Sequence, residues 1–180
     1  MPDYRRFYQE GGTYFFTIVT EGRQPIFRDD PTVSLLGKCL TDVNENHPFV
    51  TEAMVVLPDH LHTIWTLPQG DCDFSTRWNL AKGYFSHRFP GRRTANTSES
   101  RLRKRERGIW QRRFWEHLVR DQDEFNRLCD YIHYNPVKHG LVGSPVEWKH
   151  STFGQFVQRG LYTSDREWSE TSRLVGMDPE

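Results

Sequence analysis

In the stretch PDHLHTIW (58–65), His60 and His62 stand one residue apart in an otherwise apolar run. Side chains alternate faces along a strand, so the two imidazoles point the same way. In DYIHYNPVKHG (130–140), Tyr131 and Asn135 are four residues apart. On a helix they share a face about 40° wide, off the apolar stripe and free to project from the core. Pro136 lacks a backbone donor and disfavours α geometry at the residue before it. The helix is therefore expected to end or kink at Asn135, with the amide aimed outward. Two neutral imidazoles and one amide oxygen make a three-ligand set with open positions. Nitrogen and oxygen donors without thiolate suit Mn²⁺ or Mg²⁺ as a Lewis acid, with zinc as a further option. Such an ion polarises a phosphoryl oxygen. A tyrosine one turn from a ligand, helped by the cation to lose a proton of pKa about 10, can then attack the phosphorus. The phosphotyrosine bond formed is close in energy to the diester it replaces, so the step supports rejoining as well as cutting. Taken singly, the same residues read as a half-buried histidine pair, a packed helix tyrosine and a helix-end asparagine.

The elements that must position these residues follow from periodicity. TYFFTIVTEG (13–22) reads as a strand ending at Gly22. Asp29, Asp30 and Pro31 open a helix in which Val33, Leu36, Leu40 and Val43 recur at helical spacing. FVTEAMVVL (49–57) and HLHTIWTL (60–67) are strands joined by a tight turn at Pro58 and Asp59, hence antiparallel neighbours. Leu61, Trp65 and Leu67 lie on one face of the second of these, His60, His62 and Ile64 on the other. A helix over 74–89 carries Trp78, Ala81 and Phe85 as its apolar stripe, with Arg77, Lys82 and Arg88 off it. Segment 90–108 reads as a long, mobile, basic loop, 109–121 contains a fourth strand, and a helix runs from about 123 toward 135. Phe125, Leu128, Cys129 and Ile132 give that helix its core face. The order β-α-β-β-α-β-α fits an α+β, ferredoxin-like or RRM-like antiparallel sheet with helices on one face and an added C-terminal helix carrying Tyr131.

With 180 residues, 36% hydrophobic and 27% charged, the chain has the composition of a soluble globular domain. The expected division is one domain over 1–162 and an acidic tail over 163–180. No N-terminal stretch resembles a signal peptide, and the longest apolar runs are far too short to span a bilayer. Cys39, Cys72 and Cys129 show no CxxC spacing, which argues against a disulfide framework or a zinc-thiolate site and suits a reducing cytoplasm. The net charge is +0, yet 74–120 holds 13 Lys/Arg against 3 Asp/Glu. A basic middle rich in Trp and Phe suits single-stranded nucleic acid, though charge clusters are as readily solvated surface. Arg5, Arg6, Arg77, Lys82, Arg112, Arg113 and Lys138 are candidate phosphate or base contacts; Trp78 and Trp110 are candidate stacking platforms, or else core or half-buried aromatics. His117 and His139 are candidate proton shuttles. Tyr134, about 60° around the helix from Tyr131, is a rival nucleophile.

PDHLHTIW, WQRRFWEH and DYIHYNPVKHG together resemble the REP-associated tyrosine transposases, relatives of the single-tyrosine insertion-sequence transposases in the HUH endonuclease superfamily. The likeness begins at YRRFY (4–8) with GGTYFFT (11–17), continues through LPDHLHTIWTLPQGDCDFSTRW (57–78) and ends near HSTF (150–153). The resemblance implies that His60 and His62 form the HUH motif with Leu61 between them, that Tyr131 is the nucleophile and that Asn135 is the third metal ligand. It implies metal-dependent cleavage, with Mg²⁺ or Mn²⁺, of single-stranded DNA beside repetitive extragenic palindromic (REP) hairpins. That cleavage leaves a 5′-phosphotyrosine and a free 3′-hydroxyl, directed by a guide tetranucleotide at the hairpin foot. The 90–108 loop departs from the compact connection expected in the family. Expectations for partners and place are DNA hairpins, no membrane, a monomer or homodimer, and a cytoplasmic, nucleoid-associated protein. Two other readings stay open: a non-catalytic hairpin-binding module, and a metal-dependent phosphoesterase that uses water.

Overall fold

The computed structural model describes residues 7–91, 100, 103, 106–163 and 168. Arg5, Arg6, most of the 90–108 loop and all of the 163–180 tail except Thr163 and Trp168 lie outside the described residues. The elements are β1 (Thr13–Val19), α1 (Asp30–Asn46), β2 (Val50–Val56), β3 (His60–Thr66), α2 (Phe74–Arg88), β4 (Trp115–Leu118), α3 (Gln122–Lys138) and α4 (Phe153–Gln158). The four strands form one antiparallel sheet in the order β2-β3-β1-β4, the ferredoxin-like arrangement expected from the element order. The β1–β3 register pairs Thr17 with His62 and Val19 with His60.

Strand alternation sorts the sheet into two faces. Tyr14, Phe16, Ile18, Leu61 and Trp65 pack against α1 and α2. Phe15, Ala53, Val55 and Ile64 pack against α3, which covers the opposite face. Helices α1, α2 and α3 each begin where a side-chain carboxylate accepts a backbone N–H: Asp29 from Thr32 at 2.8 Å, Asp73 from Thr76 at 2.9 Å, Asp121 from Glu124 at 2.7 Å. Pro31 in the first turn of α1 needs no intrahelical partner there.

Three residues expected to face DNA are instead part of the core. Arg77 is 2% exposed. Its guanidinium donates to the carbonyls of His47, Pro48 and Asp73 and forks onto the Asp71 carboxylate at 2.7 and 3.2 Å. It thereby ties the start of α2 to the α1–β2 connection. Trp78 is 1% exposed and stacks on Trp65 with ring centroids 4.0 Å apart. Trp110 is 6% exposed against Phe27 and Phe85. Neither indole face is open to a base. The expected fourth strand is also divided. Ile109–Gln111 bonds to the end of β1 through Gln111 N to Val19 O at 3.0 Å and Glu21 N to Ile109 O at 2.8 Å, and the chain re-enters the sheet only at Trp115.

Helix α3 does not stop at Asn135. It runs through Pro136 to Lys138, and His139 N–H donates to Asn135 O at 3.0 Å. A proline so near the end loses a single intrahelical bond, to the Ile132 carbonyl, and its fixed φ is already helical. The outer side of α3 is held as well. His133 meets the Thr152 hydroxyl at 2.9 Å, and Tyr162 donates to Asp130 at 2.6 Å. The same C-terminal stretch covers the β2 edge: Val56 N–H donates to His150 O and Thr152 N–H to Met54 O, each at 2.9 Å. An edge so paired is not offered to another chain.

Because Arg77 holds two connections together, Arg77→Ala is expected to cost about 2–3 kcal/mol in urea unfolding, since it leaves carbonyls and the half-exposed Asp71 without their donor. The hydrogen bond from Arg77 holds the Asp71 carboxyl below the ordinary aspartate range. Its share of the loss is therefore full above that range and fades as pH falls through the lowered folded value. An unchanged unfolding midpoint with a shallower salt dependence of DNA affinity would return Arg77 to the DNA surface.

Candidate active site

Register and helix packing bring the candidate chemistry together on the α3 face of the sheet. The rings of His60 and His62 lie 4.9 Å apart, centroid to centroid. Tyr131 sets its ring 5.2 Å from that of His62 and 6.0 Å from Phe15. His139, at the C-cap of α3, lies 5.2 Å from His60. Tyr131 and Asn135 were expected to project from the core, but they face into it, 5% and 0% exposed. The buried side of α3 includes Glu124, Leu128, Tyr131 and Asn135, a helical row in which three of the four residues are polar or amphipathic.

Each histidine has its Nδ1 engaged. His60 Nδ1 donates to the Asp59 carboxylate at 2.6 Å. His62 Nδ1 lies 2.9 Å from the Thr17 hydroxyl, its cross-strand partner. With Nδ1 as the N–H, each ring carries its lone pair on Nε2, the tautomer a metal ligand needs. The Asn135 amide is wholly buried, and among the described residues neither its oxygen nor its nitrogen has a hydrogen-bond partner. A buried amide left so costs stability; a hydrogen-bond donor or a cation at its oxygen would repay part of that cost. Among the described residues no three His, Cys, Asp or Glu side chains cluster as a metal site. An ion here would be held by two imidazoles and a neutral amide, and the donor set fits one that keeps open positions for water or phosphate.

The other candidates separate on geometry. Tyr134 stacks on Trp168 at 5.9 Å, away from the histidines. His117 meets the buried Glu124 carboxylate at 2.9 Å and stacks on Trp115, which fastens β4 to the first turn of α3 rather than serving the histidine pair. Burial raises the Glu124 carboxyl, but hydrogen bonds from Arg120 N–H and His117 outweigh it and hold the group below its ordinary range. Cys129 is no rival nucleophile: burial, then the Asp130 and Glu52 charges, push its thiol up to about 12. Lys82 is half-buried with its ammonium on the Gln111 carbonyl, so it fastens a loop. Arg112 is exposed and pairs with Glu106 at 3.0 Å; Arg113 is exposed. Lys138 is exposed with Nζ 5.2 Å from the Tyr131 ring centroid. Thr17 and Asp59, which orient the two imidazoles, were missed by sequence reasoning. The β1–β3 register, which sets Thr17 opposite His62, would have pointed to Thr17.

Residues 9–135 match the family model described as Transposase IS200 like, a span that includes both histidines, Tyr131 and Asn135. A REP-associated tyrosine transposase of Escherichia coli strain K12 is 41% identical over 165 residues, covering 92% of this chain and 90% of that one. A solved structure of a REP-associated tyrosine transposase bound to a REP hairpin is 40% identical and superposes with a TM-score of 0.79 over 94% of this chain and 93% of that one. With its ferredoxin-like sheet and these relatives along nearly its whole length, the chain belongs to the REP-associated tyrosine transposases of the IS200-like transposase family.

Proposed function

We propose that this chain cuts and rejoins single-stranded DNA at REP-type hairpins, with Tyr131 as the nucleophile and His60, His62 and Asn135 as the ligands of a divalent cation. The observation that carries the reading is the packing of Tyr131 against His62, one helical turn from an Asn135 amide that has no hydrogen-bond partner among the described residues. The relative of known structure carries a REP hairpin, which supports the same DNA as the partner here. A bound Mg²⁺ or Mn²⁺ would supply Lewis-acid polarisation of a phosphoryl oxygen. The chain's own residues do the rest. Asp59 keeps the His60 imidazole in its Nδ1–H tautomer, and Asp59 and Thr17 hold the two rings in orientation. Phe15 and His62 fix the phenol ring. The Tyr131 hydroxyl attacks the phosphorus, and the 3′ oxygen leaves as a hydroxyl. Holding the 5′ end on the protein conserves the bond for rejoining. Tyr131 packs on its own sheet, so one protomer contains the whole set. Arg112, Arg113 and, beyond the described residues, Arg5 and Arg6 are the cations for the DNA backbone away from the scissile linkage. The domain runs over 1–162 with the acidic tail after it, and the protein works in the cytoplasm at the nucleoid. No helix among the described residues is long and apolar enough to cross a membrane.

Incubation with a labelled single-stranded hairpin oligonucleotide and Mn²⁺ is expected to give an SDS-stable protein–DNA band. Tyr131→Phe should bind the DNA with unchanged affinity and give no band. A band of wild-type intensity from Tyr131→Phe would move the nucleophile to Tyr134, and cleavage without any band would favour attack by water.

Mn²⁺ at about 100 times its Kd should stabilise the DNA-free protein by about 2.7 kcal/mol, read as a rise in Tm. His60→Ala and His62→Ala should each abolish the rise. Asn135→Leu should weaken it while leaving the metal-free protein at least as stable as wild type, because an apolar side chain of similar volume replaces a buried amide. A full Mn²⁺ response in both histidine variants would return the imidazoles to a structural role.

A further inference from the structure

We propose that Lys138 is a catalytic residue of this site, its ammonium pairing with a non-bridging oxygen of the phosphate that Tyr131 attacks. The inference rests on the tyrosine reading above and adds a role to it.

Lys138 follows Tyr131 by seven residues, two helical turns, so the two share a face of α3. Its Nζ lies 5.2 Å from the centroid of the Tyr131 ring, while the side chain as a whole is exposed. The ammonium therefore stands over one face of a buried tyrosine ring, at the end of a side chain that is itself exposed, within reach of a phosphate held at the hydroxyl. Apart from the divalent cation proposed above, the side chains packed around the tyrosine supply little positive charge. Phe15, Asn135 and Tyr131 are neutral, and His60 and His62 are neutral in the tautomer with Nδ1 as the only N–H. Asp59 brings a negative charge, engaged by His60 and, at 3.4 Å, by Arg23. The C-terminal end of α3 adds the partial negative charge of its last carbonyls, which opposes a phosphate at this end of the helix. Lys138 is the basic residue of that last turn.

In the step itself the Tyr131 oxygen forms a bond to phosphorus and the bond from phosphorus to the 3′ oxygen breaks. The phenolic proton goes to solvent, and the leaving oxygen takes its electron pair and a proton from water. No oxidant or further reactant is needed. Negative charge grows on the two non-bridging oxygens as the fifth bond forms, and a fixed ammonium beside one of them stabilises that state more than the bound diester. A Lys138 that merely offset the helix dipole would affect folding instead. One that gripped a distant phosphate would affect binding.

The test compares wild type, Lys138→Gln and Lys138→Arg in single-turnover formation of the covalent adduct on a hairpin oligonucleotide. The scissile linkage is either the natural diester or a methylphosphonate, which replaces one charged oxygen with a methyl group. On the diester, Lys138→Gln should slow adduct formation about 100-fold, as loss of a transition-state charge partner does. The Kd for uncut DNA and the Tm should match wild type, and Lys138→Arg should recover part of the rate. On the methylphosphonate the gap should shrink to about threefold or less. An equal loss on both substrates, a loss confined to Kd, or an unchanged rate overturns the proposal. If neither protein cuts the methylphosphonate, the split between rate and Kd on the diester decides in the same way. Failure of the wild type to form any adduct strikes the tyrosine reading; a wild-type adduct rate in Lys138→Gln strikes only the role of Lys138.

Discussion

The antiparallel register of β1 against β3 sets Thr17 opposite His62 and Val19 opposite His60, and the remaining geometry of the site depends on it. Side chains on a strand alternate with a period of two, so a slip by one residue would turn both imidazoles toward α1 and α2. The register is pinned from both sides. Phe16, Leu61 and Trp65 are committed to the α1–α2 core, and Phe15 and Ile64 to the α3 face. A slip would bury the histidines among Trp78, Phe74 and Phe49 and expose the aromatic residues to α3. The hydrophobic effect on one face thus orients polar groups on the other.

Helix α3 completes the arrangement because it is clamped between two layers. Leu128, Cys129 and Ile132 pack on the sheet, while His133 and Asp130 are held by Thr152 and Tyr162 of the C-terminal stretch. The Glu124 link to His117 fixes the start of the helix to β4. A phenol whose hydroxyl must lie in line with a phosphorus tolerates little displacement, and a helix held on both sides and at its first turn supplies that rigidity. The Asn135 amide, buried without a hydrogen-bond partner among the described residues, is the local cost. Such violations of polar satisfaction concentrate at functional sites.

Much of this was readable from the sequence, for identifiable reasons. Strand and helix order followed from periodicity, and the shared face of His60 and His62 from alternation alone. The pairing of Tyr131 with Asn135 followed from the helical period. What could not be read were the tertiary partners. Arg77 lay off the apolar stripe of α2 and so passed for a surface cation; its burial depends on carbonyls at His47 and Pro48, which no local pattern exposes. Trp78 and Trp110 stood between base platform and core aromatic because an indole suits either role, and the partners that settle it, Trp65, Phe27 and Phe85, come from distant positions. Tyr131 and Asn135 were placed outside the core because hydropathy does not register buried polar groups. Pro136 was weighed as a stop although its place near the helix end makes it tolerable.

The central claim, that α3 delivers Tyr131 rather than any other group to a phosphate beside the histidine pair, is tested most directly by locating the covalent bond. After reaction with hairpin DNA and nuclease trimming, tryptic digestion should release the peptide spanning 128–138, which contains both Tyr131 and Tyr134. Fragmentation by mass spectrometry is predicted to place the residual nucleotide on Tyr131. A nucleotide on Tyr134, or cleaved DNA bearing a free 5′-phosphate with no modified peptide, would contradict the account.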